Sequence, residues 1–175
     1  MLTLDQKDTS NNMEKENLYP FNPESEIIFN SIKEKIHAVL GDKFEVLHRG
    51  SSALGIAGQK EIDIYIPVAE EDMDKVVNVL EKLYGIPPKS IYIKERIKFL
   101  QDVNGTRIEV MVVNKSHNSW VEGETFFERI KDNSSMLKEY EQLKREASRL
   151  PYKEYQNRKV AFFNKVIGKD VTNKI

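Results

Sequence analysis

The sequence predicts an α/β (α+β) domain: a mixed β-sheet with helices packed on one face and a helical segment at its C-terminal end. Three observations lead there. The run "EIDIYI" alternates Glu61, Asp63 and Tyr65 with Ile62, Ile64 and Ile66, the period of a strand. Met73, Val76, Val77 and Leu80 recur at helical spacing, as do Ile28, Ile32, Ile36 and Val39. After Asn114 the strand pattern stops and three helical stretches follow one another. The 175 residues fit one domain with a core of ordinary size.

The first helix is expected near Asn22-Pro23, with Pro23 at its first position, Glu24 and Glu26 in its first turn, and a stop at Gly41. "KFEVLH" from Lys43 reads as a strand. From Arg49 to Lys60 comes a loop whose Gly50, Gly55 and Gly58 mark a path needing unusual backbone angles. A strand over Glu61 to Val68 follows, then a helix over Asp72 to Tyr84, ended by Gly85 and Pro87-Pro88. "SIYIKE", "RIKFLQDV" and "TRIEVMVV" read as strands, the last two joined at Asn104-Gly105, a strong hairpin signal. Helices are expected over Val121 to about Lys131, Ser135 to Arg149 and Tyr152 to Ile167, with Ser135 as a cap and Pro151 separating the last two. Residues 1–17 read as a mobile tail, 18–168 as the domain and 169–175 as a C-terminal tail.

Composition narrows the function classes. Charged residues make up 31% and apolar residues 39%, a globular balance. With a net charge of -1 there is no global basic field to attract nucleic acid or an anionic membrane. The absence of cysteine excludes disulfides, zinc ribbons and cysteine nucleophiles. No apolar stretch approaches a membrane span, and the N-terminus lacks a signal-peptide pattern, so a cytoplasmic protein is expected. Walker loops, His-Glu-x-x-His and Gly-x-Ser-x-Gly are all missing.

Alternation places Glu61, Asp63 and Tyr65 on one strand face, and Arg107, Glu109 and Met111 on one face of a later strand. If the isoleucine face meets the helices, Asp63 and Glu109 point to the same open side and are neighbours when their strands are adjacent. Two carboxylates beside a glycine-rich loop suit a divalent cation and a phosphate, through hard oxygens and backbone N–H groups. The competing reading is the solvated face of a sheet.

Gly50-Ser51, a short glycine-containing loop and a strand bearing Asp63 resemble the signature of the nucleotidyltransferase superfamily. More narrowly, "NLYPFNPESEIIFNSIKEKIHAVLG", "EVLHRGSSALGIAGQKEIDIYI", "ERIKDNSSMLKEYEQLKREAS" and "YQNRKVAFF" are similar to the opening, central and C-terminal segments of the GrpB-like family, an uncharacterised branch of that superfamily. The resemblance runs from about Asn17 to Ile167 and implies a nucleotidyltransferase-like sheet. It places Gly50 and Ser51, with Ser52 and Lys60, on the phosphate side. Asp63 matches the first strand carboxylate, Glu109 lies on the strand of the third, and both would hold Mg2+.

Two departures stand out. Leu54 leads straight to Gly55, without the proline that commonly precedes the second glycine. Tyr65 stands where the second carboxylate is expected, and a phenol with pKa about 10 is a poor magnesium ligand. Glu61, on the same face, is the available substitute. His48 and Arg49 lie beside Gly50, with Arg96 and Lys98 as further basic residues near the cleft. Arg129, Lys144, Arg145 and Lys159, with Tyr140 and Tyr155, either form a far wall to the cleft or are a solvated helical face with packed tyrosines. His37 is expected at the surface, and Trp120, near His117, as a packing anchor. Two functions remain: Mg2+-dependent nucleotidyl transfer to an acceptor, or a nucleotide- or coenzyme-binding module of the same fold. Fusion of some family members to a dephospho-coenzyme A kinase domain hints at coenzyme A metabolism.

Overall fold

The computed structural model describes residues 15–87, 92, 93 and 95–169. They form two compact units. One is Pro20–Val121; the other joins the described residues up to Tyr19 with those from Glu122 onward.

The first unit is a mixed sheet with helices packed on its isoleucine face, the class the sequence predicts. In chain order its elements are α1 (Ser25–Leu40), β1 (Leu47–Arg49), α2 (Gly50–Ala53), β2 (Glu61–Val68), α3 (Met73–Tyr84), β3 (Tyr92–Ile93), β4 (Arg96–Val103) and β5 (Thr106–Asn114). The strands are ordered β1-β2-β5-β4-β3. β2 and β5 are parallel, which requires the intervening crossover; β1–β2, β3–β4 and β4–β5 are antiparallel.

Ile62, Ile64 and Ile66 are fully buried against Ile36 of α1 and Val76 and Leu80 of α3, with Ile108, Val110 and Val112 beside them on β5. α3 buries the four residues its spacing singled out, Met73, Val76, Val77 and Leu80. α1 differs in one respect. Its buried stripe is Ser25, Phe29, Ile32 and Ile36, while Ile28 is only partly buried and Val39 is exposed. Steps of three and four place those four residues in one line along the helix, and Ile28 and Val39 both fall on one flank of it.

The strand expected from Lys43 pairs only over Leu47–Arg49, although Phe44 and Val46 still bury their side chains. The chain then turns at Gly50, with φ of +71°, into the single helical turn of α2, where only a loop was expected. The β4–β5 hairpin turns at Asn104 and Gly105, with φ of +53° and +75°, the paired left-handed residues of a type I′ turn. Of the strand expected over "SIYIKE", the pairing of Tyr92 and Ile93 with β4 is described; Ser90, Ile91 and Lys94 lie outside the described residues.

α4 (Asn118–Lys131) begins in the first unit and continues into the second, which also holds α5 (Ser134–Ala147) and α6 (Tyr152–Ile167). Phe126, Tyr140, Phe162 and Phe163 form its aromatic cluster. The cap of α5 is Asn133, whose Oδ1 accepts from the Met136 amide at 3.0 Å, and not Ser135. Lys15 bridges Pro151; the rest of the expected N-terminal tail up to residue 14 and residues 170–175 lie outside the described residues. No helix among the described residues is long and apolar enough to cross a membrane.

Candidate functional site

β2 and β5 run side by side with Glu61 opposite Arg107, Asp63 opposite Glu109 and Tyr65 opposite Met111. The two carboxylates proposed to share a cation are therefore on adjacent strands and on the face opposite Ile62 and Ile64. That face is not a solvated one: Glu109, Met111 and Lys98 are buried, and Asp63 and Tyr65 are half-buried.

Glu109 is already neutralised. Its Oε2 lies 2.8 Å from Lys98 Nζ and its Oε1 2.8 Å from Arg107 Nη2. Each carboxylate oxygen thus carries a cation supplied by the sheet itself. The Glu109 and Lys98 side chains are each only 6% exposed, so the attraction between them acts with little solvent screening. Arg107 also holds Glu61. Burial would lower the Arg107 pKa, but Glu109 and Glu61, with a smaller contribution from Asp63, outweigh it and raise it. Glu61, the substitute second carboxylate, is in this way committed to Arg107. Among the described residues no three His, Cys, Asp or Glu side chains are grouped to hold a metal ion.

Asp63 lies against the turn at Gly50. A Cβ built on Gly50 would be 1.9 Å from Asp63 Oδ2 and 2.8 Å from its carboxyl carbon, so only glycine fits. Arg49 is paired with Asp63 across the β1–β2 ladder. Along the loop, the amides of Leu54, Gly55 and Ile56 donate to the carbonyls of Gly50, Ser52 and Ser51. Those three amides are consumed within the protein and offer nothing to an anion. Gly58 packs closely on Ser51: a Cβ there would be 2.9 Å from Ser51 Cβ.

Tyr65 packs its ring on Trp120, centroids 5.5 Å apart and tilted by 34°, so the second-carboxylate position is aromatic and partly covered. His48 is bound at both ring nitrogens, to Glu26 and to Ser52 Oγ, and stacks on Phe29. Lys60 is exposed and its amine lies at the β4–β5 turn, 3.4 Å from where a Gly105 Cβ would be. Its carbonyl accepts from the Arg107 amide. His37, expected at the surface, is half-buried and lies 3.4 Å from Asp42. In the second unit Lys144 is buried with its ammonium over the Tyr140 ring, and Lys159 lies over Tyr155. A shallow pocket lined by Pro151, Lys153, Glu154 and Asn157 holds none of the candidate residues.

The family model described as GrpB protein matches residues 16–169. The chain belongs to the GrpB family. Among solved structures, the GrpB protein of Enterococcus faecalis is similar over 87% of this chain and 96% of that one, with a TM-score of 0.68 at 17% identity. That likeness shows a shared GrpB fold. A Leishmania infantum polymerase beta ternary complex is similar over 89% of this chain and 75% of that one, with a TM-score of 0.43 and 16% identity. No curated protein matches the sequence.

In this GrpB chain the sequence reading missed the joint capture of Glu109 by Lys98 and Arg107, and the role of Glu26. Arg107 was recognised as a face-mate of Glu109 and Lys98 as a nearby base. The hairpin register that brings Lys98 within reach was available from Asn104-Gly105. Glu26 precedes His48 by 22 residues with no periodic relation between them, and no sequence signal joins the two.

Proposed function

We propose that this GrpB-family protein binds a nucleotide or a related phosphate ligand, such as a coenzyme, at the Gly50–Ser51 turn beside Asp63, without a resident Mg2+ and without nucleotidyl transfer. The observation that carries this reading is the pairing of both Glu109 oxygens with Lys98 and Arg107. Two-metal transfer needs carboxylate oxygens directed at the cations. Here Glu109 has spent its two, Glu61 is held by Arg107, and Tyr65 is a packed phenol. Gly50, Ser51 and Ser52 remain the positions for the phosphate side. Arg49 supplies charge beside them.

One observation favours the second reading, transfer with Mg2+. Asp63 and Glu109 are register partners on one face, the placement shared metal ligands require. In that reading Asp63 and Glu109 would hold Mg2+, which would supply charge neutralisation for the phosphates. The chain would then supply positioning and charge neutralisation.

A thermal-shift panel of ATP, GTP, CTP, UTP, coenzyme A and tripolyphosphate tests the binding reading. At a hundredfold excess over Kd a ligand stabilises the folded state by about 2.7 kcal/mol. For a chain of this size that raises Tm by about 5–10 °C. At least one compound is expected to do so in EDTA, and Gly50→Val is expected to abolish the shift. No shift with any compound, with or without Mg2+, contradicts the reading.

A further inference from the structure

We propose that His48 sets the hydrogen-bonding state of Ser52, so that an anion binds at the Gly50–Ser52 turn together with one proton taken up by His48. The inference rests on the phosphate-binding reading above and adds to it how that turn recognises its ligand.

The chain of contacts begins on α1. Glu26 Oε2 lies 3.0 Å from His48 Nδ1, and Ser52 Oγ lies 2.9 Å from His48 Nε2. The ring stacks on Phe29, centroids 4.7 Å apart and planes within 13°, and its side chain is 8% exposed. A carboxylate only accepts, so the neutral ring carries its proton on Nδ1 and leaves Nε2 bare. Ser52 has one O–H, and the bare nitrogen claims it. In this state the Ser52 hydroxyl can offer the turn only lone pairs, which repel an anion.

A proton on Nε2 reverses the direction of that bond. The ring N–H donates to Ser52 Oγ, and the hydroxyl proton is released to donate to an oxyanion at the turn. The imidazolium also places a positive charge one residue from Arg49. The groups facing the ring are Glu26 from α1, Arg49 beside it on β1, Ser52 from α2 and the apolar Phe29. Burial lowers the His48 pKa below its ordinary value and Arg49 lowers it further, while Glu26 opposes both without overcoming them. The ring is therefore predominantly neutral at pH 7 until an anion arrives. An anion raises the pKa again, so affinity grows as pH falls through the range between the two values.

Calorimetry with tripolyphosphate in two buffers of different ionisation heat reads the proton directly. Subtracting the same measurement on His48→Gln removes the titration of the probe itself. The expected result is an excess uptake in the wild type approaching one proton per anion, and an affinity gain of up to about tenfold per pH unit on acidification, relative to the variant. Nitrogen-15 NMR of the wild type alone is expected to show the Nδ1–H tautomer without ligand and an imidazolium with it. This keeps the test decisive if the glutamine variant fails to fold. Binding heat without excess proton uptake, or an Nε2–H tautomer in the free protein, overturns the inference and leaves the binding reading standing. No binding heat with tripolyphosphate at any pH overturns the inference, and the binding reading falls with it only when no compound of the thermal-shift panel binds.

Discussion

Lys98→Met is expected to lower stability by about 3–5 kcal/mol, the cost of leaving one charge of a buried pair uncompensated. Glu109 would keep Arg107 on Oε1 but lose the partner of Oε2, in a setting where its side chain is 6% exposed. The variant is nearly isosteric along the side-chain stem, so lost packing contributes little. Replacing both partners, as Lys98→Met with Glu109→Leu, should recover most of the loss, because apolar pairs substitute well for buried ion pairs. Urea unfolding of the wild type and the two variants checks this. A loss below about 1 kcal/mol for Lys98→Met would place the pair among weak surface bridges and contradict the account of a neutralised Glu109.

Gly50→Ala is expected to cost about 2–4 kcal/mol, combining left-handed strain with displacement of Asp63 from its rotamer. At φ of +71° the new methyl would lie 1.9 Å from Asp63 Oδ2, so the carboxylate must swing away. Gly55→Ala is the matched control. Its φ is +69°, and nothing lies within 4 Å of its Cβ. It carries the strain of about 1–2 kcal/mol alone. The difference between the two, read by urea unfolding, isolates the contact between the turn and Asp63. Equal losses would mean that the contact has no energetic weight.

The parts of the fold legible in the sequence are those fixed by local pattern. β2 spans Glu61–Val68 as read, because strict alternation with isoleucine leaves one face for the core. The β4–β5 turn falls on Asn104-Gly105, because few other residue pairs accept positive φ twice in succession. The first half of the β1 region was legible only in part. Phe44 and Val46 have the burial of a strand without its pairing, and hydrophobicity alone does not separate the two.

At the candidate site, the shared side of Asp63 and Glu109 followed from alternation, while the adjacency of their strands and the partners of the two carboxylates came from the structure. Once the two-residue turn sets Val103 opposite Thr106, Lys98 falls opposite Met111 and diagonal to Glu109 on the same face. Carrying the register through would have shown a cation at the presumed metal ligand. The contacts of Tyr65 with Trp120 and of Glu26 with His48 join segments with no shared periodicity, so they needed the tertiary structure.

The central claim is that Lys98 and Arg107 take the place of a metal at Glu109. Calorimetric titration of nucleoside triphosphates and coenzyme A, in Mg2+ and again in EDTA, tests it most directly. The account predicts that a compound that binds does so with an affinity unchanged within about threefold, since no cation needs to bridge it to Glu109. Binding that appears only in Mg2+, and disappears with Asp63→Asn, would contradict the account and restore the metal-dependent transferase.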